Sequence, residues 1–267
     1  MAQPGSPVRA RVRLLAPWLL GLLLLLAWLV SAQFFLGPVA LFPGPGAVAT
    51  KLVSSLMNPQ WWPYLTMTAV EAIGGCLLGV VIAIPLGIAI HRSRTLAAAL
   101  APYLGATQAI PAIALAPLLV LWVGYGLEAV IVLCAVLVFF PILVSSVVGL
   151  SAVDPDLVDA ARLDGASALS LLIHVEFPLA LPSVLAGVRN GFTLSVTGAI
   201  VGEMVMGGRG LGQLLTLQRD AVDTAGMVAT IVVLCVLASG LYGLILLLER
   251  NVGRDTVGVA PGQKGTQ

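Results

Sequence analysis

Apolar runs long enough to cross a lipid bilayer dominate this sequence and leave few options for its fold. A helix needs about 20 mostly apolar residues to span the hydrocarbon core. Six stretches qualify, approximately Leu14 to Ala32, Leu65 to Ile90, Ala101 to Val123, Leu127 to Leu150, Ser183 to Met206 and Met227 to Leu248. Only 9% of the 267 residues are charged and 59% are hydrophobic, against roughly 25% charged in an average soluble domain. Such a chain cannot cover a water-facing surface. The expectation is an all-α polytopic membrane protein with about six transmembrane helices. A net charge of +1 leaves no basic excess for nucleic acid.

The cations sort by side. With the N-terminus inside, the cytoplasmic face carries Arg9, Arg11, Arg13, Arg92, Arg94, Arg162, Arg250, Arg254 and Lys264, and the opposite face carries Lys51, Arg209 and Arg219. That bias predicts cytoplasmic N- and C-termini. The division is then a cytoplasmic tail over 1–13, a membrane domain over 14–252 and a C-terminal tail over 253–267. The first run, preceded by three arginines and ending Val30-Ser31-Ala32, also resembles a signal peptide, although its length favours a retained helix. Long external segments are expected at 33–64 and 207–226, a tight turn at Gly124-Tyr125-Gly126, and an internal turn from His91 to Thr95.

Little in the composition supports chemistry at a reactive centre. Cys76, Cys134 and Cys235 each lie alone in an apolar run, where a thiol behaves as a small hydrophobe. His91 and His174 lack the neighbours of a metal site, so no metal ligand is assigned. A phosphate-binding G-x-x-x-x-G-K-[ST] is absent from the sequence, and the stretch Gly258 to Lys264 misses that spacing. If ATP is used, another chain supplies it.

The most informative stretch is the cytoplasmic segment 151–182, between the fourth and fifth runs. Asp154 reads as an N-cap, Pro155 as the first helical residue and Asp156 as a carboxylate at the positive end of the helix dipole. Gly165 ends or bends that helix. A second short helix follows from about Ser167 to Val175, with Phe177-Pro178 and Leu181-Pro182 as its stop. Small residues at Ala160, Ala161, Gly165 and Ala166 would let another surface approach closely, and Leu157 and Leu163 could fill a groove. The alternative is a helix lying flat on the membrane interface.

These residues carry a family resemblance. Asp159-Ala160-Ala161 with Gly165-Ala166, followed by Phe177-Pro-Leu-Ala-Leu-Pro182, resembles the EAA loop of permease subunits of importer-type ABC transporters. More narrowly, the chain is similar to permeases for nitrate, taurine, aliphatic sulfonates and thiamine-precursor pyrimidines. Phe42-Pro-Gly-Pro-Gly-Ala-Val, Ile84-Pro-Leu-Gly, Gln108-Ala-Ile-Pro-Ala-Ile-Ala-Leu-Ala-Pro117, Gly202-Glu-Met and Arg209-Gly-Leu-Gly212 extend the likeness over most of the chain. The resemblance implies a type I importer fold and two copies of the permease. It implies two ATPase subunits that hold the ATP and Mg, none being bound by this chain, and an extracytoplasmic solute-binding protein. Asp159, Ala160, Ala161, Leu163, Asp164, Gly165 and Ala166 would form the helix that couples to the ATPase. Asp159 stands where the family usually has Glu, and keeps its charge.

Ionisable groups within spans are costly and face a cavity or a partner. Glu71, Arg189 and Glu203 are the candidates, with Gln108, Asn190, Thr193 and Thr197 as further polar groups for a translocation pathway. One structural account pairs Arg189 with one of the carboxylates. Arg189 and Glu203 share a helix face but stand about 21 Å apart along the axis, so they cannot pair with each other. Glu71 replaces a residue that is commonly basic in the resembled family. If it faces the pathway it disfavours a simple anion and favours a neutral or amine-bearing heterocycle; alternatively it sits at the outer interface near Trp61, Trp62 and Tyr64. A different class of function is an ion-gradient-driven carrier using Glu71 and Glu203 as proton-coupling carboxylates, which lacks the internal repeat such carriers often show. A membrane enzyme is disfavoured, because no nucleophile with a base or close carboxylate pair stands out.

Overall fold

The structure is a computed structural model and describes residues 7–34, 42–107 and 112–257. Regular structure among these residues is helical: α1 (Pro7–Phe34), α2 (Pro45–Met57), α3 (Trp62–Arg92), α4 (Arg94–Thr107), α5 (Ala112–Val123), α6 (Leu127–Ser151), α7 (Pro155–Leu163), α8 (Ala168–Leu171), α9 (Phe177–Met206), α10 (Leu211–Asp220) and α11 (Thr224–Val257). Four continuous helical stretches are long and apolar enough to cross a membrane, namely Trp62–Arg92, Leu127–Ser151, Ala168–Met206 and Thr224–Glu249. Shorter apolar stretches, Leu19–Ala32 and Ala114–Val123, lie within α1 and α5. The described parts of the third expected crossing are the end of α4 and α5, while Gln108 and Pro111 lie outside the described residues.

Backbone contacts divide the chain into two units. One comprises α1, α2 and residues 215–232. In it the Trp28 indole N–H donates to the Pro43 carbonyl at 3.0 Å, and Lys51 pairs with Asp223 at 2.7 Å. Burial alone would raise the Asp223 pKa. Hydrogen bonds from the Lys51 ammonium and the Gly226 N–H outweigh it and hold the carboxyl below its ordinary value. Helix α2 was hidden within the expected external segment; Pro45 at its first turn supplies a pre-set φ and no surplus N–H.

The other unit comprises residues 62–214 and 233 onwards, and its core is the trio α3, α6 and α9. Residues with little or no side chain set the spacing. A Cβ on Gly75 would collide with Cys134, and one on Gly79 with Val138. A Cβ on Gly187 would meet Ser145 Cβ at 2.5 Å, and one on Gly191 would meet Ile142 at 3.1 Å. Both small-xxx-small faces thus pack on α6, where close backbone approach replaces the hydrophobic drive that lipid cannot provide. The pairings also give direction, because α3 and α6 advance together whereas α9 runs against α6. Parallel neighbours that both cross a bilayer need a return crossing between them, and 93–126 is the segment available for it.

Local chemistry explains segment 151–182. Asp154 caps α7 by accepting from the Asp156 N–H at 3.0 Å, and Pro155 opens the helix, as expected. Gly165 adopts φ +87°. The Gly165 N–H donates to Arg162 O and the Ala166 N–H to Ala161 O, the paired pattern of a left-handed C-terminal cap. The expected stop at Phe177-Pro178 and Leu181-Pro182 does not occur. Helix α8 passes through a π turn, Leu172–Glu176, directly into α9. Pro178 falls in the first turn of α9, where a missing N–H costs little, and Pro182 is accommodated inside the helix. Helix α11 runs on to Val257, so regular structure continues into the C-terminal tail.

Gly75→Leu should lower the thermal stability of the detergent-solubilised chain by about 1–3 kcal/mol through overpacking against α6. Gly240→Leu, where a Cβ meets nothing within 4 Å, should leave stability within experimental error. Paired unfolding scans of the two variants check this.

Candidate functional site

At one end of the α3–α6–α9 core, buried polar groups fasten the loop after α9. Glu203 is 1% exposed and accepts from the Thr68 hydroxyl at 2.6 Å and from the Gly212 N–H. Thr68 in turn accepts the Leu211 N–H at 2.8 Å. These bonds account for Arg209-Gly-Leu-Gly212. The Glu203 carboxyl occupies the space that a Cβ on Gly210 would need, and Gly212 faces Ile200 O and Glu203 just as closely. Only glycine lets that backbone reach the carboxylate. Glu71, 0% exposed, lies against Glu203 one turn from Thr68, and its oxygens take no hydrogen bond from a donor. It therefore sits inside the helix contact rather than at an outer interface. Below this cluster Ser195 donates to Ala72 O at 2.6 Å and Cys134 to Ser195 O at 3.3 Å, linking all three helices.

A second buried carboxylate lies at the opposite end. Glu176, 4% exposed in the π turn, stands 3.0 Å from the Arg92 guanidinium at the last turn of α3 and 3.9 Å from His91 Nε2. The same guanidinium nitrogen donates to Ala168 O at 2.7 Å, where α8 begins. Beyond lies α7, which has no buried residue. Leu163 is 90% exposed, Leu157 is exposed as well, and Asp159 pairs with Arg162 on its own helix at 2.9 Å. Asp159, Ala160, Asp164 and Gly165 are all exposed beside them, and Ala161 and Ala166 are half-buried.

The pathway candidates fall into two groups. Asn190, Thr193 and Thr197 share one exposed face of α9. The first two, with Leu194 and with Ala238, Ser239 and Tyr242 of α11, line a cavity of about 570 Å³. Arg189 pairs with Glu249 at 2.8 Å and lies over the Tyr242 ring, 5.0 Å from its centroid. The carboxylate partner of Arg189 is thus Glu249 of α11, neither Glu71 nor Glu203. Those two are enclosed, and any argument on solute charge drawn from an open Glu71 lapses. Cys76, Cys134 and Cys235 form no disulfide. Among the described residues, no three His, Cys, Asp or Glu gather into a set that could hold a metal ion.

Helical spans tied by buried polar groups, with an exposed amphipathic helix at one end and a polar face on α9, are the build of a multi-pass transport subunit. The chain belongs to the family of binding-protein-dependent transport system inner membrane components, matched over residues 75–254. Members are ABC transporter permeases, transport subunits rather than enzymes, and membership implies ATPase and solute-binding partners. The ion-gradient carrier is accordingly not favoured. The chain is 39% identical to the riboflavin transport system permease protein RibX of Chloroflexus aurantiacus, over 87% of each chain. It is 32% identical to the formylaminopyrimidine transport permease protein ThiX of Halalkalibacterium halodurans, over 88% of this chain and 93% of that one. With the taurine permease protein TauC of Escherichia coli it shares 29% identity over 87% and 86%. Its fold superposes on the inward-facing MetNI methionine ABC transporter with TM-score 0.65 and 22% identity, covering 73% of this chain and 98% of that one. An amino acid ABC transporter gives TM-score 0.59 at 17% identity, covering 76% and 94%.

Sequence reading missed Glu176 and Arg92 as a pair, and Glu249 and Tyr242 as neighbours of Arg189. The available signals were a lone carboxylate inside an apolar stretch and a second one near the end of the last span.

Glu203→Ala leaves the Gly212 N–H without its buried acceptor, at a cost of about 1–3 kcal/mol where no water replaces it, while the Thr68 hydroxyl falls back on Tyr64 O of its own helix. Its thermal midpoint in detergent should fall clearly below that of Glu203→Gln, which keeps one acceptor oxygen. Equal midpoints for the two would contradict the assignment.

Proposed function

We propose that this chain is the membrane-spanning half of an ATP-driven importer, with α7 as the helix that seats in a cleft of the ATPase. In this reading residues 14–252 form the permease domain, 151–182 the coupling segment, and both termini are cytoplasmic. Hydrolysis, with its ATP and Mg, takes place on the partner. The observation that carries the reading is α7 itself. A capped nine-residue helix with no buried residue presents Leu157 and Leu163, the latter 90% exposed, outward. Asp159, Ala160, Ala161, Asp164, Gly165 and Ala166 surround them with small or acidic groups. Gly165 at φ +87° turns the chain back toward the membrane domain, which keeps α7 projecting.

Asn190 and Thr193 are placed poorly for contact with lipid chains, since hydroxyl and amide groups need partners, and Thr197, whose hydroxyl donates to Thr193 O, continues the same face. We assign that face to the translocation pathway, closed by a second copy of the permease. Glu71 and Glu203 then support the pathway from behind, and Gln108 is assigned to the same pathway from the sequence. The cavity beside Asn190, Thr193, Ser239 and Tyr242 is lined by no charged residue, and Arg189 is neutralised by Glu249. Such a surface suits a small, neutral, hydrogen-bonding ring better than a sulfonate anion. The names of the riboflavin and formylaminopyrimidine relatives point the same way, so the solute class we assign is a heterocyclic vitamin or precursor.

Leu163→Asp tests the docking reading. Burial of a leucine side chain is worth about 1.5–3 kcal/mol, so the ATPase should dissociate from the purified variant while its membrane level stays unchanged. Reconstituted wild-type complex, supplied with its binding protein, should take up a flavin or pyrimidine and leave taurine outside. Full retention of the ATPase by Leu163→Asp would overturn the reading.

A further inference from the structure

The end of α3 and the start of α9 meet at a joint that neither the coupling helix nor the pathway accounts for. Glu176 is a carboxylate buried in a π turn, and π turns inside longer helices mark functional positions more often than chance. Burial of a lone carboxylate is strongly unfavourable, so its partner is held tightly. That partner is Arg92, whose guanidinium nitrogen ion-pairs with Glu176 Oε2 at 3.0 Å without a hydrogen bond to it, while the same nitrogen donates to Ala168 O at 2.7 Å. One side chain of α3 therefore grips both the first residue of α8 and the π turn that leads into α9. Helix α7 packs against α8 and that same turn and buries no residue of its own. A push on α7 is delivered first to the elements that Arg92 holds.

We propose that Arg92 and Glu176 form the joint that transmits movement of the coupling helix into α3, and that they act as positioning residues for transport rather than as groups that touch solute. The proposal rests on the reading of α7 as the ATPase-docking helix. Arginine suits the task, because its planar fork can serve a carboxylate and a carbonyl at once, which a lysine ammonium on a flexible stem does less well. Helix α3 is also tied to α9 at its far end through Thr68 and Glu203. A displacement entering at Arg92 is thus carried along the helix to the loop fastened by Glu203. His91 Nε2, 3.9 Å from the same carboxylate, stands beside the joint without replacing the guanidinium, which alone reaches α8.

The test uses the complete complex in proteoliposomes, comparing wild type, Glu176→Gln, Arg92→Lys and the exchanged pair Arg92→Glu with Glu176→Arg. ATPase subunits should co-purify with each single variant, and hydrolysis without binding protein should stay near wild type. Solute moved per ATP hydrolysed should fall roughly fivefold or more in both single variants. The exchanged pair should recover part of that ratio. A purely structural pair would lower the amount of assembled complex and leave the ratio per assembled complex at the wild-type value, which overturns the proposal. Should Glu176→Gln fail to assemble, Arg92→Lys, which keeps the charge, decides in the same way. Loss of the ATPase from wild type, or its retention by Leu163→Asp, would instead refute the docking reading itself.

Discussion

The Glu203 carboxylate is the constraint around which the rest of this membrane domain is arranged. A carboxylate is costly to place at 1% exposure, and it persists here because a hydroxyl from α3 and a backbone N–H from the loop after α9 converge on it. Those donors require that Gly210 and Gly212 carry no side chain and that α3 and α9 lie in one register. A slide of one helix past the other by a single turn would break the Thr68–Glu203 bond and the Leu211 N–H bond to Thr68. The polar contact specifies the register, and the apolar contacts follow from it.

Packing inside lipid cannot draw on the hydrophobic effect between helices, so close contact has to do the holding. Gly75, Gly79, Gly187 and Gly191 bring α3 and α9 against adjoining faces of α6, the Ser195 bond joins α9 to α3 and the Cys134 bond joins α6 to α9. Glu176 with Arg92 closes the other end. The trio is consequently tied at both ends and at its middle. Helices α7 and α8 project from one end of it, and the polar face of α9 lies along its side. An importer needs both, a lever for the ATPase and a surface for solute, and in the proposed reading one helical stretch, Ala168–Met206, carries the solute face and leads into the lever.

What was legible in the sequence was local. Apolar run length located the crossings, and Asp154, Pro155 and Gly165 announced both ends of α7 because capping depends on residues within one turn. The amphipathic character of α7 was equally visible. What escaped was tertiary. Arg189 and Glu249 are 60 residues apart and Thr68 and Glu203 are 135 apart, so neither pairing leaves a trace in spacing. Glycines 210 and 212 stood out as a motif, yet their reason is a carboxyl arriving from another element. Helices α2 and α10 lie in segments that read as connections because neither is long enough to span a bilayer. Pro178 and Pro182 misled in the opposite direction, since a proline in a first helical turn, as Pro178 is, opens a helix as readily as it ends one, and Pro182 is accommodated inside α9.

On the proposed reading of α7, alternating access is a motion of whole α3–α6–α9 units, driven at α7, rather than a rearrangement within them. Electron–electron spin distances test this most directly. Labels are placed at Val81 on α3 and Leu179 on α9, both exposed, in one permease copy of a nanodisc-embedded complex. A second sample carries Leu179 labels in both copies. Between nucleotide-free and ATP-trapped states, the account predicts that the Val81–Leu179 distribution stays in place while the Leu179–Leu179 distribution between copies shifts. A shift of the Val81–Leu179 distribution between those states would contradict it.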